Sequence, residues 1–356
     1  MLSHKSKIYL AITVILVAVI LLVVGLVNIF SGSESEQSEQ IPEQNVEQEL
    51  VARHPLSGLP LDDKDFSCLP ISIMIENAAD VLPQKGLAAA DVIYESLAEG
   101  NITRLLAIYD STNNVDKIGP VRSARPYFMD WAQEYGGIYM HVGGSPQALK
   151  ALEDYDLIDV DQIGAGEVYF WRDQNLNAPH NVFTSNSNWL RAAEIRGDEY
   201  YCRVGGIGVW NFIDLPLKIK ADFYIPEEIR VDFSSDLYQV DWKYNPNLKA
   251  YQRWQGGDKY IYDTGDQVLA QNVIVQLANT KVIDDLGRRQ IDTQTGGQAY
   301  IFNAYGLQIV DWKVENGRTR FYLSENHGEE QGQEAGLVPG KSWVEIIPSE
   351  ENISYK

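Results

Sequence analysis

The chain has 356 residues, of which 45% are apolar and 22% are charged, a mixture that excludes a wholly disordered protein. Its 29 Lys and Arg residues stand against 50 Asp and Glu residues, and this net charge of -21 excludes generic nucleic-acid binding, which needs clustered cations. The length predicts two folded domains.

The N-terminal region contains a candidate membrane-spanning segment. Residues 8–30 carry no charged side chain and are mostly Ile, Leu and Val. Such a helix is about 35 Å long, enough to cross a hydrocarbon core of about 30 Å. Lys5 and Lys7 precede the segment, and the next twenty residues after it carry Glu and no Lys or Arg. The positive-inside rule therefore predicts a cytoplasmic stub at residues 1–7 and an extracytoplasmic remainder. A cleaved signal peptide is the alternative, although its apolar region is normally shorter.

Residues 31–52 are rich in Ser, Gln and Glu and poor in apolar side chains. This composition predicts a disordered acidic linker, because too little surface can be buried to offset the entropy of ordering. The two cysteines, Cys68 and Cys202, could form a bridge outside the membrane or remain two buried free thiols. No Cys or His spacing indicates a metal site, and no cofactor is expected.

Residues 53–214 predict an α/β layered domain, since short β-branched or aromatic runs alternate with helical patterns. Pro126 suits a first helical position, and Gly136 and Gly137 would stop that helix. The predicted strands are residues 71–75, 92–94, 105–109 and 138–140, and the predicted helices are residues 126–135, 146–155 and 188–196.

Residues 215–356 have a different sequence pattern, in which short strand candidates are separated by turn residues. This pattern predicts a smaller all-β sandwich or barrel-like domain. Asn316 and Gly317 between two strands are a strong hairpin signal. The predicted strands are residues 221–224, 229–233, 238–242, 251–254, 273–276, 299–302, 308–312, 319–322 and 343–346.

The first candidate binding residues lie in residues 117–126, where Arg122 and Arg125 precede a predicted helix. A helix N-terminus favours anions, and Arg can hold a carboxylate or phosphate through two hydrogen bonds. The alternative is that these arginines pair with the domain's own acids, such as Glu95, Glu99 or Asp130.

Further candidates follow later strands. His141 and Ser145 flank a Gly-Gly turn after a strand, where ligands collect in α/β sheets, or they only brace the turn. Trp171 could stack on a sugar ring with polar partners around it, or serve the core. The complete predicted ligand-binding set is Arg104, Arg122, Arg125, His141, Ser145, Trp171, Arg172, Asp173, His180 and Asn181.

Catalysis, if present, would use Glu95 or Glu99 as a general acid and His141 as a proton carrier. Glu76 is a third possible carboxylate. Hydrogen bonding, or pairing with Arg104, is the alternative role for these acids. The sequence contains no GxSxG, P-loop or HExxH motif.

The sequence also resembles the YerB-like family of bacterial envelope proteins, a two-domain family without an assigned function. The segments that carry the resemblance are residues 55–59, 71–77, 84–87, 90–109, 117–125, 141–145, 171–173, 178–181, 272–275, 296–297 and 339–344. The resemblance implies an envelope protein of a Gram-positive-type bacterium. Family members are often lipoproteins, whereas this sequence has no Cys close to the apolar run, so the helix itself is expected to provide the attachment.

Three functions remain open at this point. The first is an envelope module that binds an anionic or glycan ligand, peptidoglycan or a wall-synthesis partner in an Arg/His cleft, attached to the cell membrane through residues 8–30. The second is a peptidoglycan-acting enzyme that cleaves glycan with a Glu general acid. The third is a structural interaction protein whose polar motifs stabilise turns.

Overall fold

A mixed β-sheet lies at the centre of the structure, a computed structural model that describes residues 18–19, 52–61, 69–196, 210–213, 224–324 and 332–356. Among these residues, ten strands form the sheet in the order β18-β17-β16-β13-β19-β2-β3-β1-β4-β5. Residues 51–356 form one compact unit.

The first half supplies strands β1–β7 and helices α1–α4. The strands are β1 Pro70–Glu76, β2 Val92–Leu97, β3 Thr103–Asp110, β4 Ile138–His141, β5 Ile158–Asp161, β6 Trp171–Arg172 and β7 Val182–Phe183. The helices are α1 Pro126–Tyr135, α2 Pro146–Ala151, α3 Gln162–Ala165 and α4 Asn186–Arg196. The three predicted helices and four predicted strands are confirmed, although α2 ends four residues earlier than expected and continues as a short 3-10 turn.

The described part of the second half is all-β, as predicted. Its strands are β8 Glu228–Asp232, β9 Gln239–Asn245, β10 Ala250–Gln255, β11 Asp258–Lys259, β12 Leu269–Ala270, β13 Asn272–Leu277, β14 Thr280–Val282, β15 Arg289–Ile291, β16 Gly297–Asn303, β17 Gly306–Glu315, β18 Arg318–Leu323, β19 Ser342–Ile347 and β20 Ile353–Tyr355. Asn316 and Gly317 both have positive φ and connect β17 to β18, which confirms the predicted hairpin.

The second half does not form a sandwich or barrel by itself, because five of its strands extend the sheet of the first half. Strand β19 connects the halves, since it pairs in parallel with β2 on one side and with β13 on the other. Strands β8–β12 and β20 form a second sheet. It packs on the first through Trp242 and Trp343, whose ring centroids are 5.4 Å apart.

Alternating side chains divide the core between the two faces of the ten-stranded sheet. Ile73 and Ile93 point into the cluster shared with the second sheet and α4, whereas Met74 and Tyr94 point into the cluster beneath α1. Trp131 of α1 stacks on Tyr94 at 5.3 Å between centroids. Each face is therefore covered, which explains why these strands read as nearly continuous apolar runs.

Several predictions concern residues outside the described ranges. These are the stub, the linker, both cysteines, the 214/215 domain boundary and residues 221–223 of the strand predicted at residues 221–224. Of the predicted membrane segment only Ala18 and Val19 are described, as helix. Within the described residues, no helix combines the length and apolar character that a membrane crossing requires.

Candidate functional site

Glu99 brings two of the predicted arginines together just before β3. Its carboxylate accepts from Arg104 Nη2 at 3.0 Å, from Arg125 Nε at 2.9 Å, and from Arg125 Nη2. Arg104 also donates to the carbonyl of Ser123. Arg104 and Arg125 therefore pair with an acid of their own domain, Glu99, which is the alternative given for the arginines above.

This pairing determines the charge of Glu99. Burial alone would raise the pKa of Glu99, but Arg104 and Arg125 outweigh it and lower the pKa to about 2. Glu99 is thus a carboxylate throughout the physiological range and holds no proton to donate. It does not meet the requirement for a general acid.

We expect Glu99→Gln to destabilise the protein at neutral pH by on the order of 2 kcal/mol, a value reduced for the partial exposure of the side chain. Because the folded-state pKa is lowered, the stabilisation from Glu99 is fully present above about pH 4.5 and is lost as the pH falls towards 2. Urea unfolding at several pH values should therefore show the difference from the wild type shrinking with acidity. The exposed Glu153 provides a control, and equal effects of Glu99→Gln and Glu153→Gln would contradict the expectation.

Glu95, the other predicted acid, is completely buried between the two sheets. It accepts from Arg253 Nη2 at 2.5 Å and from Asn77 Nδ2 at 2.9 Å, and Trp343 Nε1 lies 3.3 Å away. A side chain enclosed in this way cannot reach a glycan, so the geometry does not support catalysis by Glu95.

Arg122 and His180 converge on Glu76, which ends β1. Arg122 Nε lies 2.8 Å from Glu76 Oε2, and His180 Nδ1 donates to the same oxygen at 3.0 Å. Arg122 Nη1 also donates to the carbonyl of Pro179, one residue before His180. Strand β1 and the loop at residues 173–181 thus bring Glu76, Arg122 and His180 together in a second polar cluster. None of these three side chains hydrogen-bonds to Glu99 in the described residues.

His141 and Ser145 serve the turn between β4 and α2. His141 is fully buried; its Nδ1 lies 2.8 Å from the carbonyl oxygen of Gly143 and its Nε2 lies 2.7 Å from Asp159 Oδ1. Ser145 is the N-cap of α2 and accepts from the amide of Ala148 at 3.2 Å. Both ring nitrogens of His141 are therefore in contact with oxygen atoms of the protein, and the enclosed ring presents neither nitrogen to a ligand.

The remaining predicted residues stabilise the loop at residues 173–181. Asp173 pairs with Lys117 Nζ at 2.6 Å, and Arg172 Nη1 donates to Asn181 Oδ1 at 2.8 Å. Trp171 lies 6.4 Å from Phe183 between ring centroids. These contacts fix β6 and β7 against each other and hold the segment that carries His180.

The predicted residues do not line one common cleft. Arg125 and Ser145 line a cavity of about 620 Å³, here called the cationic cavity, whereas His180 lines a cavity of about 350 Å³, here called the histidine cavity. Arg125 and His180, which the sequence predicted in one Arg/His cleft, therefore line different cavities.

The cationic cavity contains three basic residues that sequence reasoning missed. Lys281 precedes the tip of the β14–β15 hairpin, and Arg288 and Arg289 follow it. Consecutive arginines close to a lysine in so acidic a chain were the available signal. These residues are far from Arg125 in sequence, so the sequence did not indicate that they share a cavity with it. Only the fold brings the hairpin close to the start of α1.

Polar groups complete the walls of the cationic cavity. The amides of Gln147 and Asn279 and the hydroxyls of Ser145 and Thr293 line it. Among the described residues, four cationic side chains face two carboxylates, Asp130 and Asp292, in this lining. Within the same described ranges, no group of three or more His, Cys, Asp or Glu side chains could hold a metal ion.

Fold and cavities together define a mixed α/β protein with an all-β second half and polar cavities around its central sheet. The chain belongs to the family described as "Protein of unknown function (DUF3048)": the N-terminal domain of that family matches residues 56–199 and the C-terminal domain matches residues 229–344.

The relatives agree with this assignment. The chain is 33% identical over 297 residues to "Putative lipoprotein YerB" of Bacillus subtilis (strain 168), which covers 83% of this chain and 86% of the relative. The crystal structure of YerB from Bacillus subtilis superimposes with a TM-score of 0.74 at 31% identity, over 85% of this chain and 99% of that one. The YerB-like resemblance is confirmed.

Proposed function

We propose that the chain is a membrane-attached, extracytoplasmic envelope protein that binds an anionic, hydroxyl-rich ligand in the cationic cavity. The observation that supports this most is the convergence of Arg125, Lys281, Arg288 and Arg289 on one cavity of a chain whose net charge is -21. A local excess of cations against such a background attracts anions selectively.

The lining also fits the hydroxyl-rich part of such a ligand. Side-chain amides both donate and accept hydrogen bonds, and Gln147, Asn279, Gln290 and Gln294 all line the cavity. Its volume of about 620 Å³ lies in the range of small-molecule sites, roughly 300–1,000 Å³. A phosphorylated or carboxylated sugar unit combines the charge, the hydroxyl groups and the size.

The cations differ in how far they are already engaged. Arg125 donates to Glu99, Arg288 pairs with Asp284 at 3.0 Å, and Arg289 donates to Asn101 Oδ1 at 2.6 Å. The Lys281 ammonium makes no hydrogen bond or ion pair with the described residues and is exposed. Lys281 is therefore the cation that can bind a ligand without first breaking a hydrogen bond or ion pair to a described residue.

The proposed location rests on two supports. The YerB relative carries the name of a lipoprotein, and residues 8–30 form an uncharged apolar run. Attachment through residues 8–30 would place the cationic cavity where wall polymers and wall-synthesis proteins are accessible, and these are the proposed partners. A glycan-cleaving enzyme with a Glu acid is not favoured, since Glu95 is enclosed and Glu99 has a pKa of about 2.

The test compares glucose 6-phosphate with glucose, which differ by the anionic group. We expect calorimetry to detect binding of glucose 6-phosphate alone, and Lys281→Gln to weaken it about tenfold, since a hydrogen bond to a charged group contributes about 1.5 kcal/mol or more. Binding should also weaken with added salt.

Lys243→Gln is the matched control, because Lys243 is a half-exposed lysine of the second sheet, paired with Glu228. It should leave the affinity for glucose 6-phosphate unchanged. Equal affinities for glucose and glucose 6-phosphate, or equal effects of the two substitutions, would reject the cationic cavity as the binding site.

A further inference from the structure

The histidine cavity contains the imidazole of His180, whose orientation is fixed by a hydrogen bond to Glu76. His180 Nδ1 donates to Glu76 Oε2 at 3.0 Å, and Glu76 is buried. A neutral ring that carries its hydrogen on Nδ1 leaves a lone pair on Nε2. Nε2 makes no hydrogen bond with the described residues, and the side chain is 30% exposed. One nitrogen is therefore held by a carboxylate and the other can accept a hydrogen.

The loop that carries His180 is held by its own contacts. The amide of His180 donates to the carbonyl of Asn177 at 2.9 Å, and Arg122 Nη1 donates to the carbonyl of Pro179 at 3.2 Å. The amide of Asp173 donates to the carbonyl of Asn181 at 2.8 Å, which closes the loop. The imidazole is thus positioned before any ligand arrives, which reduces the entropy lost on binding.

The walls of the histidine cavity are mainly apolar, with a few polar groups. The apolar lining residues are Val81, Leu82, Pro83, Pro120, Leu176 and Phe183. The polar ones are Asp80, Lys85, Asn177 and His180. An apolar cavity with a small number of positioned polar groups is the usual form of a small-molecule site, and about 350 Å³ is large enough for one substituted ring.

We propose that the histidine cavity is a second ligand site, which takes a small molecule with an apolar body and one acidic hydroxyl group. The apolar body contacts the walls, and the hydroxyl hydrogen faces His180 Nε2. On binding, that hydrogen moves from the ligand oxygen to Nε2, which leaves an oxyanion on the ligand and an imidazolium on His180. Glu76 faces the imidazolium, and no co-reactant is consumed.

The lining of the cavity carries one acidic and one basic side chain besides His180. Asp80 and Lys85 carry opposite charges, and neither forms a hydrogen bond or ion pair through its side chain with the described residues. The oxyanion formed at His180 is repelled by Asp80 and is attracted by the new imidazolium and by Lys85. Lys85 is therefore a positioning residue for the ligand oxygen.

The probe is 4-nitrophenol, whose phenolate absorbs at longer wavelength than the phenol, with nitrobenzene as the matched molecule that lacks the hydroxyl. The full chain is titrated near pH 7, where part of the free probe is neutral and a histidine with the ordinary pKa of about 6.5 is mostly unprotonated. We expect binding to increase the phenolate band above that of the free probe at the same pH, and His180→Gln to remove that increase and weaken binding about tenfold. Lys85→Met should reduce the band without disturbing the contact between His180 and Glu76.

The outcomes separate this site from the cationic cavity. Lys281→Gln should leave 4-nitrophenol binding unchanged, so loss of sugar-phosphate binding and loss of phenol binding are independent results. Thermal unfolding shows whether His180→Gln is folded, and Lys85→Met provides a second variant if it is not. The proposal is overturned if binding to the wild type does not increase the phenolate band, if nitrobenzene binds as tightly as 4-nitrophenol, or if the folded His180→Gln and Lys85→Met variants match the wild type.

Discussion

Replacement of Arg253 by methionine should lower the free energy of unfolding by about 3–5 kcal/mol, the usual cost of leaving a buried charge unpaired. Arg253 is fully buried, donates to Glu95 at 2.5 Å, and lies over the rings of Tyr260 and Trp343 at 4.2 and 4.5 Å. Burial, and secondarily Glu95, hold the pKa of Glu345 well above its usual value, which favours the neutral carboxyl there, and Arg253 pairs with Glu95. Chemical denaturation measures the loss.

The matched control is Arg230→Met. Arg230 pairs with Asp241 at 2.7 Å in the same sheet, but its side chain is 44% exposed, so its removal should cost less than about 1 kcal/mol. The double variant Arg253→Met with Glu95→Gln should recover part of the loss, because the unpaired carboxylate is gone. If Arg253→Met costs no more than Arg230→Met, the interior ion pair does not stabilise the fold as described.

Gly137→Ala should destabilise by about 3 kcal/mol, the second largest effect. Gly137 has a φ of +78°, a conformation that costs an L-residue about 1–2 kcal/mol. A Cβ at this position would also lie 2.2 Å from the carbonyl oxygen of Pro70, which is backbone and can move only with β1. Crowding of this kind adds about 1–3 kcal/mol, and the change in melting temperature measures the sum.

Gly136→Ala separates the two contributions. Gly136 also has a positive φ, +69°, but a Cβ there would meet no atom within 4 Å. The substitution should therefore carry the conformational cost alone, about 1–3 kcal/mol, because a φ of 69° with a ψ of −160° is essentially restricted to glycine. Equal destabilisation by the two alanine variants would show that β1 and β4 separate readily to admit a methyl group.

The sequence predicted helices and hairpins correctly where interactions between residues close in sequence determine their ends. Helix α1 begins at Pro126, whose ring fixes φ, and ends before Gly136, whose φ of 69° and ψ of −160° are essentially restricted to glycine; both effects act within a few residues. The β17–β18 hairpin follows from Asn316-Gly317 for the same reason. The order of strands in the sheet could not be predicted in this way. Nothing in residues 342–347 indicates that β19 pairs with both β2 and β13, since any apolar strand could occupy that position in the sheet.

The candidate site was predicted as a set of residue types and not as an arrangement. Arg104, Arg122 and Arg125 were recognised as unusual cations, but β-sheet register decides which acid each one meets. Arg104 is directly opposite Glu76 in the β1–β3 pairing and nevertheless pairs with Glu99. The side chains of Lys281, Arg288 and Arg289 reach the same cavity as Arg125 only through the fold, which no local spacing encodes.

The central position of β19 has a consequence for the order in which the protein can acquire its structure. Residues 342–347 leave the ribosome after both β2 and β13, yet these two strands are connected in the sheet only through β19. Until then a nascent chain presents two unpaired strand edges, which are prone to pair with other molecules. Completion of the sheet therefore requires that β19 has been synthesised, and a chain truncated before Ser342 would expose both edges permanently.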